Sequence, residues 1–145
     1  MAVLALPETE ATYETLSTTG HIRTVVVDDS PMFLEVVCAL LERDGEIDVV
    51  AHAVHGLDAI YVVERLRPDL VLMDVEMPFL DGMSVAVLIA NRHPQTKIVL
   101  MSSEERERMW PECMACGADA FIHKPAFRAE FPRVFNSLSF STNER

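Results

Sequence analysis

One stretch constrains this chain more than any other: Asp69-Leu70-Val71-Leu72-Met73-Asp74-Val75-Glu76-Met77-Pro78. Leu70 to Met73 is a short apolar run with no polar alternation. Such a run reads as a strand covered on both faces, the condition of a parallel sheet. Asp74 falls where the strand runs out. In open α/β sheets the carboxyl ends of the strands are where ligands and chemistry collect. Met77-Pro78 then forces a loop, because proline cannot continue a ladder.

A second acidic cluster lies at a second strand end. Thr24 to Val27 is β-branched and apolar and runs straight into Asp28-Asp29. Ser30-Pro31 follows, a favoured helix N-cap and first helical residue. Two buried strands therefore deliver Asp28, Asp29 and Asp74 to one edge. Like charges ~4 Å apart repel by about 4 kcal/mol at an effective dielectric of about 20. The cluster needs a cation, and three hard oxygen donors suit Mg²⁺ or a similar divalent ion.

The rest of the chain repeats the pattern. Strands are expected at about 23–27, 47–54, 70–73, 97–101 and 118–122. Helices are expected after Ser30 and over 56–66, 82–91, about 111–116 and the stretch from Phe127. The first helix carries Phe33, Val36, Val37, Leu40 and Leu41 as its apolar stripe, and the second turns Ile60, Val63 and Leu66 inward. Trp110-Pro111 and Pro132 are expected near helix starts, since proline prefers the first turn. That leaves Ser103 to Met109 as a charged loop. Five strands alternating with five helices give an α/β fold with right-handed crossovers. The strand ends supply Asp28, Asp29, Asp74, Ser102 and Lys124 to one edge, more polar groups than core packing explains.

Composition sets limits. The chain has 145 residues, about one domain, and no apolar run near the ~20 residues of a membrane span. A net charge of −11 argues against a nucleic-acid surface. Met1 to Leu6 is too short, and lacks the basic start, for a secretory signal. Three cysteines, Cys38, Cys113 and Cys116, are an odd count that suggests reduced thiols in a cytoplasm. Cys113-Met-Ala-Cys116 lacks the second ligand pair of a zinc site, and Gly117 marks a helix end where a redox pair needs a helix start. Residues 1–20 are polar, without a sustained period, and read as a flexible extension.

In this order, the motifs resemble the receiver domains of two-component response regulators, stand-alone chemotaxis-regulator type. They are Asp28-Asp29, Asp74 before Met77-Pro78, Asp81-Gly82, Ser102, Gly117-Ala118-Asp119 and Lys124-Pro125. The resemblance covers residues 21–139, leaving 140–145 as a tail. It implies a flavodoxin-like (βα)5 three-layer sandwich with a parallel five-stranded sheet, order 2-1-3-4-5. It implies that Asp74 accepts a phosphoryl group from a histidine kinase or phosphotransfer protein. By the same resemblance Asp29 and Asp74 ligate Mg²⁺ directly, Asp28 acts largely through water, and the Glu76 backbone carbonyl is a further ligand. Ser102 would bond a phosphoryl oxygen, and Lys124-Pro125 is expected to be a cis peptide. Only two of the twelve basic residues are lysine, and a compact ammonium at position 124 fits a crowded phosphate better than a planar guanidinium.

Two positions depart from the pattern. Phe121 stands where the family often has a switching tyrosine, so any switch there works by packing alone. Glu76 adds a carboxylate beside the expected phosphoryl site. The third helix, Met83 to Asn91, is apolar nearly all round. Its Val87-Leu88-Asn91 side is expected to meet residues 1–20 or a partner. That helix or the 103–116 segment is the expected surface for a downstream protein or self-association. The activity expected is the chain's own Mg²⁺-dependent phosphorylation and dephosphorylation, with output by protein contact. The alternatives are a fragment of a longer regulator, a receiver that binds partners without phosphorylation, and an aspartyl-phosphate hydrolase of the haloacid dehalogenase type. That last family needs Asp-x-Asp after its first strand, and here Asp74 is on the third and is followed by Val75-Glu76.

Overall fold

The computed structural model describes residues 21–140; the expected extension 1–20 and nearly all of the expected tail lie outside them. Five strands and five α-helices alternate: β1 Ile22–Val27, α1 Pro31–Glu42, β2 Ile47–Ala53, α2 Gly56–Leu66, β3 Leu70–Asp74, α3 Gly82–Arg92, β4 Lys97–Ser102, α4 Arg106–Ala115, β5 Ala120–His123 and α5 Phe127–Ser137. The strands pair in parallel in the order β2-β1-β3-β4-β5. The flavodoxin-like order is therefore as expected.

The unalternating strand sequences follow from burial on both faces. Val25, Val27, Val71, Met73, Ile98, Leu100 and Phe121 pack with α2, α3 and Cys113 of α4. Their neighbours Val26, Leu70, Leu72, Val99, Met101 and Ile122 pack with α1 and α5. Alternate side chains point to opposite faces, so each strand fills two cores at once. The α1–α5 side carries an aromatic stack, Phe127 on Phe131 on Phe135, with centroids 5.3 Å and 5.5 Å apart.

Local signals set most boundaries. Ser30 Oγ accepts the Phe33 amide at 3.2 Å and starts α1. Asp81 Oδ1 does the same for Ser84 at 2.9 Å and starts α3. Gly117 ends α4 with φ +100°, where a Cβ would also sit 2.8 Å from Ala90 Cβ. The Ala118 amide then bonds back to the Cys113 carbonyl at 3.1 Å. Ala118 thus belongs to the cap, Asp119 bridges to Ile98 of β4 through its amide and carboxylate, and β5 starts later than its sequence suggests, at Ala120.

Other expectations fail. Pro111 and Pro132 do not open their helices; both lie inside them, each the sixth residue of its helix. α4 begins at Arg106, so the charged 103–109 stretch is largely helical. Proline forfeits one ladder bond and crowds the carbonyl four residues back at ~3 kcal/mol, so both helices rely on other anchors: Cys113 and the Gly117 cap for α4, the phenylalanine stack for α5. Val36 is 52% exposed, and Leu34 takes its place in the buried stripe of α1. No cis peptide occurs among the described residues; Lys124-Pro125 is trans and forms a short 3-10 turn, Lys124–Ala126, leading into α5. α3 buries Val85, Ala86 and Ile89 and leaves Val87 and Leu88 exposed.

Candidate functional site

The parallel register builds the site. Val27 pairs with Met73, so the residues that follow, Asp28 and Asp74, leave the sheet side by side. Met101 pairs with Asp74, and Ser102 with His123, which sets Ser102 and Lys124 beside them on the other flank. Asp28, Asp74 and Ser102 are all buried, and Asp29 is exposed. Carboxylate oxygens of Asp28, Asp29 and Asp74 all lie within 4.8 Å of one another. Three hard, anionic oxygens at that spacing can hold a metal ion.

The surrounding chain fixes each group. Asp28 Oδ1 accepts the Ser30 amide at 2.9 Å. Asp74 Oδ1 accepts the Glu76 amide at 3.2 Å. The loop after β3 folds back so closely that a Cβ at Gly82 would collide with the Asp74 carbonyl. That collision explains the glycine of Asp81-Gly82 in packing terms. Phe79, in the same loop, is fully exposed and held at φ +69°.

Lys124 supplies the positive charge. Its Nζ lies 2.8 Å from Asp28 Oδ2 and 3.5 Å from Asp74 Oδ2. The nearer contact is a charge contact more than a hydrogen bond, since Asp28 Oδ2 has no well-aligned donor. The ammonium also lies 4.4 Å above the ring centroid of Phe33, a cation–π seat. Phe33 reads in the sequence as one more apolar residue of α1; nothing in its spacing distinguishes it.

One cation does not balance this site. Burial, and then the negative charge of Asp28, push the Asp74 carboxyl up to about 7. Burial likewise raises Asp28, against the opposing pull of Lys124. Partial burial pulls the lysine down, but the carboxylates of Asp28 and Asp74 beside it lift it above its ordinary value. Carboxylates held in this state are poised for a further cation.

Ser102 does not face open space. Its hydroxyl donates to Glu76 Oε2 at 2.7 Å and accepts the Glu104 amide at 2.9 Å. Sequence reading placed Glu76 near the site but not on this hydroxyl. His123, at the end of β5, sits 3.0 Å from the Ser103 carbonyl through Nε2, and its amide donates to Glu130 at 3.1 Å. Phe121 is buried against the α4 side of the sheet. Outside this edge, the Cys113 thiol is buried and pushed up to about 12 by burial, the opposite of an activated redox cysteine.

The sequence model of the response regulator receiver domain matches residues 24–135. Chemotaxis protein CheY of Listeria monocytogenes is 32% identical over 117 residues, 81% of this chain and 95% of that protein. The protein-glutamate methylesterase/protein-glutamine glutaminase of Pseudoalteromonas translucida is 46% identical over 85 residues, 59% of this chain, which spans only 22% of that protein. Among solved structures, the response regulator domain of Thermotoga maritima CheB superposes with a TM-score of 0.71 at 32% identity, covering 80% of this chain and 92% of that one. The receiver domain of NarL from Mycobacterium tuberculosis gives 0.75 at 29% identity, covering 86% and 98%. The family match runs from β1 into α5 and so takes in every strand that feeds the carboxylate edge: the chain belongs to the response regulator receiver domain family.

Proposed function

We propose that Asp74 is the phosphoacceptor of this receiver and that Asp28, Asp29, Lys124 and Ser102 serve the transfer. The observation that carries the proposal is the meeting of a buried Asp74, a carboxylate pair and a lysine ammonium at one sheet edge. The donor is a phosphohistidine of a histidine kinase or phosphotransfer protein. An Asp74 oxygen attacks phosphorus in line; the P–O bond forms as the P–N bond breaks, and the electron pair leaves with the imidazole. Hydrolysis later returns the carboxylate and inorganic phosphate.

The donor set fits Mg²⁺, held by Asp29, Asp74 and the Glu76 carbonyl, with Asp28 acting through water. Mg²⁺ bound there supplies charge neutralisation at the transferring oxygens. Lys124 adds a compact positive charge beside Asp74, held in place by Asp28 and Phe33. Ser102 donates its hydroxyl to a phosphoryl oxygen. Phe121 is positioned to respond by repacking.

The receiver signals in two-component regulation. The output we propose is protein contact from a stand-alone receiver unit spanning 21–139, between an extension and a short tail. The contact surface is the exposed Val87-Leu88 side of α3 or the 103–116 segment. A cytoplasmic setting is supported by three free cysteines and by the absence, among the described residues, of a helix able to cross a membrane. The methylesterase likeness also allows a second reading, a receiver joined to a larger output unit, but the likeness to CheY over 95% of that protein supports the stand-alone unit; the size of the native protein in cell extracts decides between them.

The test is incubation with Mg²⁺ and acetyl phosphate. Hydroxylamine-labile labelling of wild type, absent in Asp74→Asn, is the expected result. Undiminished labelling of that variant refutes the assignment.

A further inference from the structure

Both hydrogen-bonding directions of the buried Ser102 hydroxyl are occupied. The hydrogen goes to Glu76 Oε2 at 2.7 Å, and the oxygen takes the Glu104 amide at 2.9 Å. A carboxylate is an acceptor only, and a serine hydroxyl carries one hydrogen. The distance to Glu76 is that of a charge-assisted bond. Glu76 also reaches Asp74: its backbone amide donates to Asp74 Oδ1 at 3.2 Å. One residue therefore contacts the acceptor carboxylate with its backbone and the β4 hydroxyl with its side chain.

Ser102 cannot give its hydrogen to Glu76 and to a phosphoryl oxygen at once. We infer that Glu76 is a positioning residue acting through Ser102: its carboxylate holds the hydroxyl in a resting orientation, and phosphorylation of Asp74 must displace it. The inference rests on the reading of Asp74 as acceptor. It differs from simple repulsion between Glu76 and the phosphoryl group, which would act whether or not Ser102 were present.

A double-mutant cycle separates the two. Wild type, Glu76→Ala, Ser102→Ala and the double variant are titrated with beryllium fluoride in saturating Mg²⁺, following backbone amides by NMR. Glu76→Ala is expected to tighten binding roughly three- to tenfold, the span of one net hydrogen bond. In the Ser102→Ala background the same substitution is expected to change nothing. Glu76→Gln keeps an acceptor oxygen without the charge and is expected to fall between wild type and Glu76→Ala. Without Mg²⁺ or beryllium fluoride, the Glu104 amide reports the hydroxyl directly. It is expected to shift in Glu76→Ala and to stay still when Glu76 is replaced in Ser102→Ala protein. Equal fold-changes in both backgrounds, with the full effect already present in Glu76→Gln, overturn the inference and leave the acceptor reading intact. Failure of wild type to bind beryllium fluoride at Asp74 overturns both.

Discussion

Replacing Asp74 by Asn should stabilise the metal-free protein, and the gain should depend on pH. Asp74 is 2% exposed, and its carboxyl is raised from 3.8 to about 7 by burial and by Asp28. A raised carboxyl binds its proton more tightly in the folded state than in the unfolded one. Stability therefore falls as pH rises from about 4 to about 7 and is level above that. At about 1.4 kcal/mol per pH unit, the full penalty has a ceiling of about 4 kcal/mol. Water entry and rearrangement around Lys124 reduce it, and we expect about 2 kcal/mol, or roughly 5–10 °C in Tm. Asn keeps the shape and can still accept the Glu76 amide through Oδ1. Thermal melts of both proteins by circular dichroism in chelator, from pH 4 to 8.5, measure the difference. It should be near zero at pH 4, grow to neutrality and stay constant beyond. Saturating Mg²⁺ should shrink it, because the cation binds only folded wild type with full affinity. A gain that does not vary with pH, or a loss of stability at pH 8, would refute the reasoning.

Asp29→Ala should weaken Mg²⁺ binding at least tenfold while leaving Tm in chelator within about 2 °C, since Asp29 is an exposed member of the carboxylate cluster; calorimetric titration and melts check both halves. Gly82→Ala should cost about 2 kcal/mol or more in a urea titration, because the new methyl meets the Asp74 carbonyl, where backbone and not a flexible side chain must yield. Pro111→Ala should stabilise by about 1–3 kcal/mol, because position 111 is inside α4 and exposed. An unchanged urea midpoint would mean that the α4 backbone has no bond to regain there.

The architecture was legible in the sequence because burial on both faces leaves a strong mark. Runs such as Val25-Val26-Val27 and Leu70-Val71-Leu72-Met73 admit few alternatives, and each ends in a polar residue at the same edge. Asp28, Asp29, Asp74, Ser102 and Lys124 converge because they directly follow or end strands whose parallel pairing fixes their height. Contacts that depend on loop paths were not legible. The reach of Glu76 to Ser102 and of Lys124 over Phe33 join residues far apart in the chain, through side-chain rotamers no periodicity encodes. The prolines misled for a different reason. The first-turn rule is a preference and not a prohibition, and in α4 and α5 buried Cys113 and the phenylalanine stack offset the interior cost of proline. The trans Lys124-Pro125 bond likewise follows from a local turn that no dipeptide rule fixes.

The sheet order has a consequence for how the site comes into being. β1 and β3 are neighbours, although α1, β2 and α2 lie between them in the chain. The carboxylate cluster is thus the product of a long-range closure, which local contacts cannot assemble in advance. An early folding species with only β1, α1 and β2 in place carries Asp28 and Asp29 but not Asp74 beside them. A cation that needs all three carboxylates ignores such species and acts only after β3 docks. If β3 docks after the transition state, Mg²⁺ should therefore slow unfolding and leave the refolding rate nearly unchanged; faster refolding in Mg²⁺ would place β3 in the sheet already at the transition state.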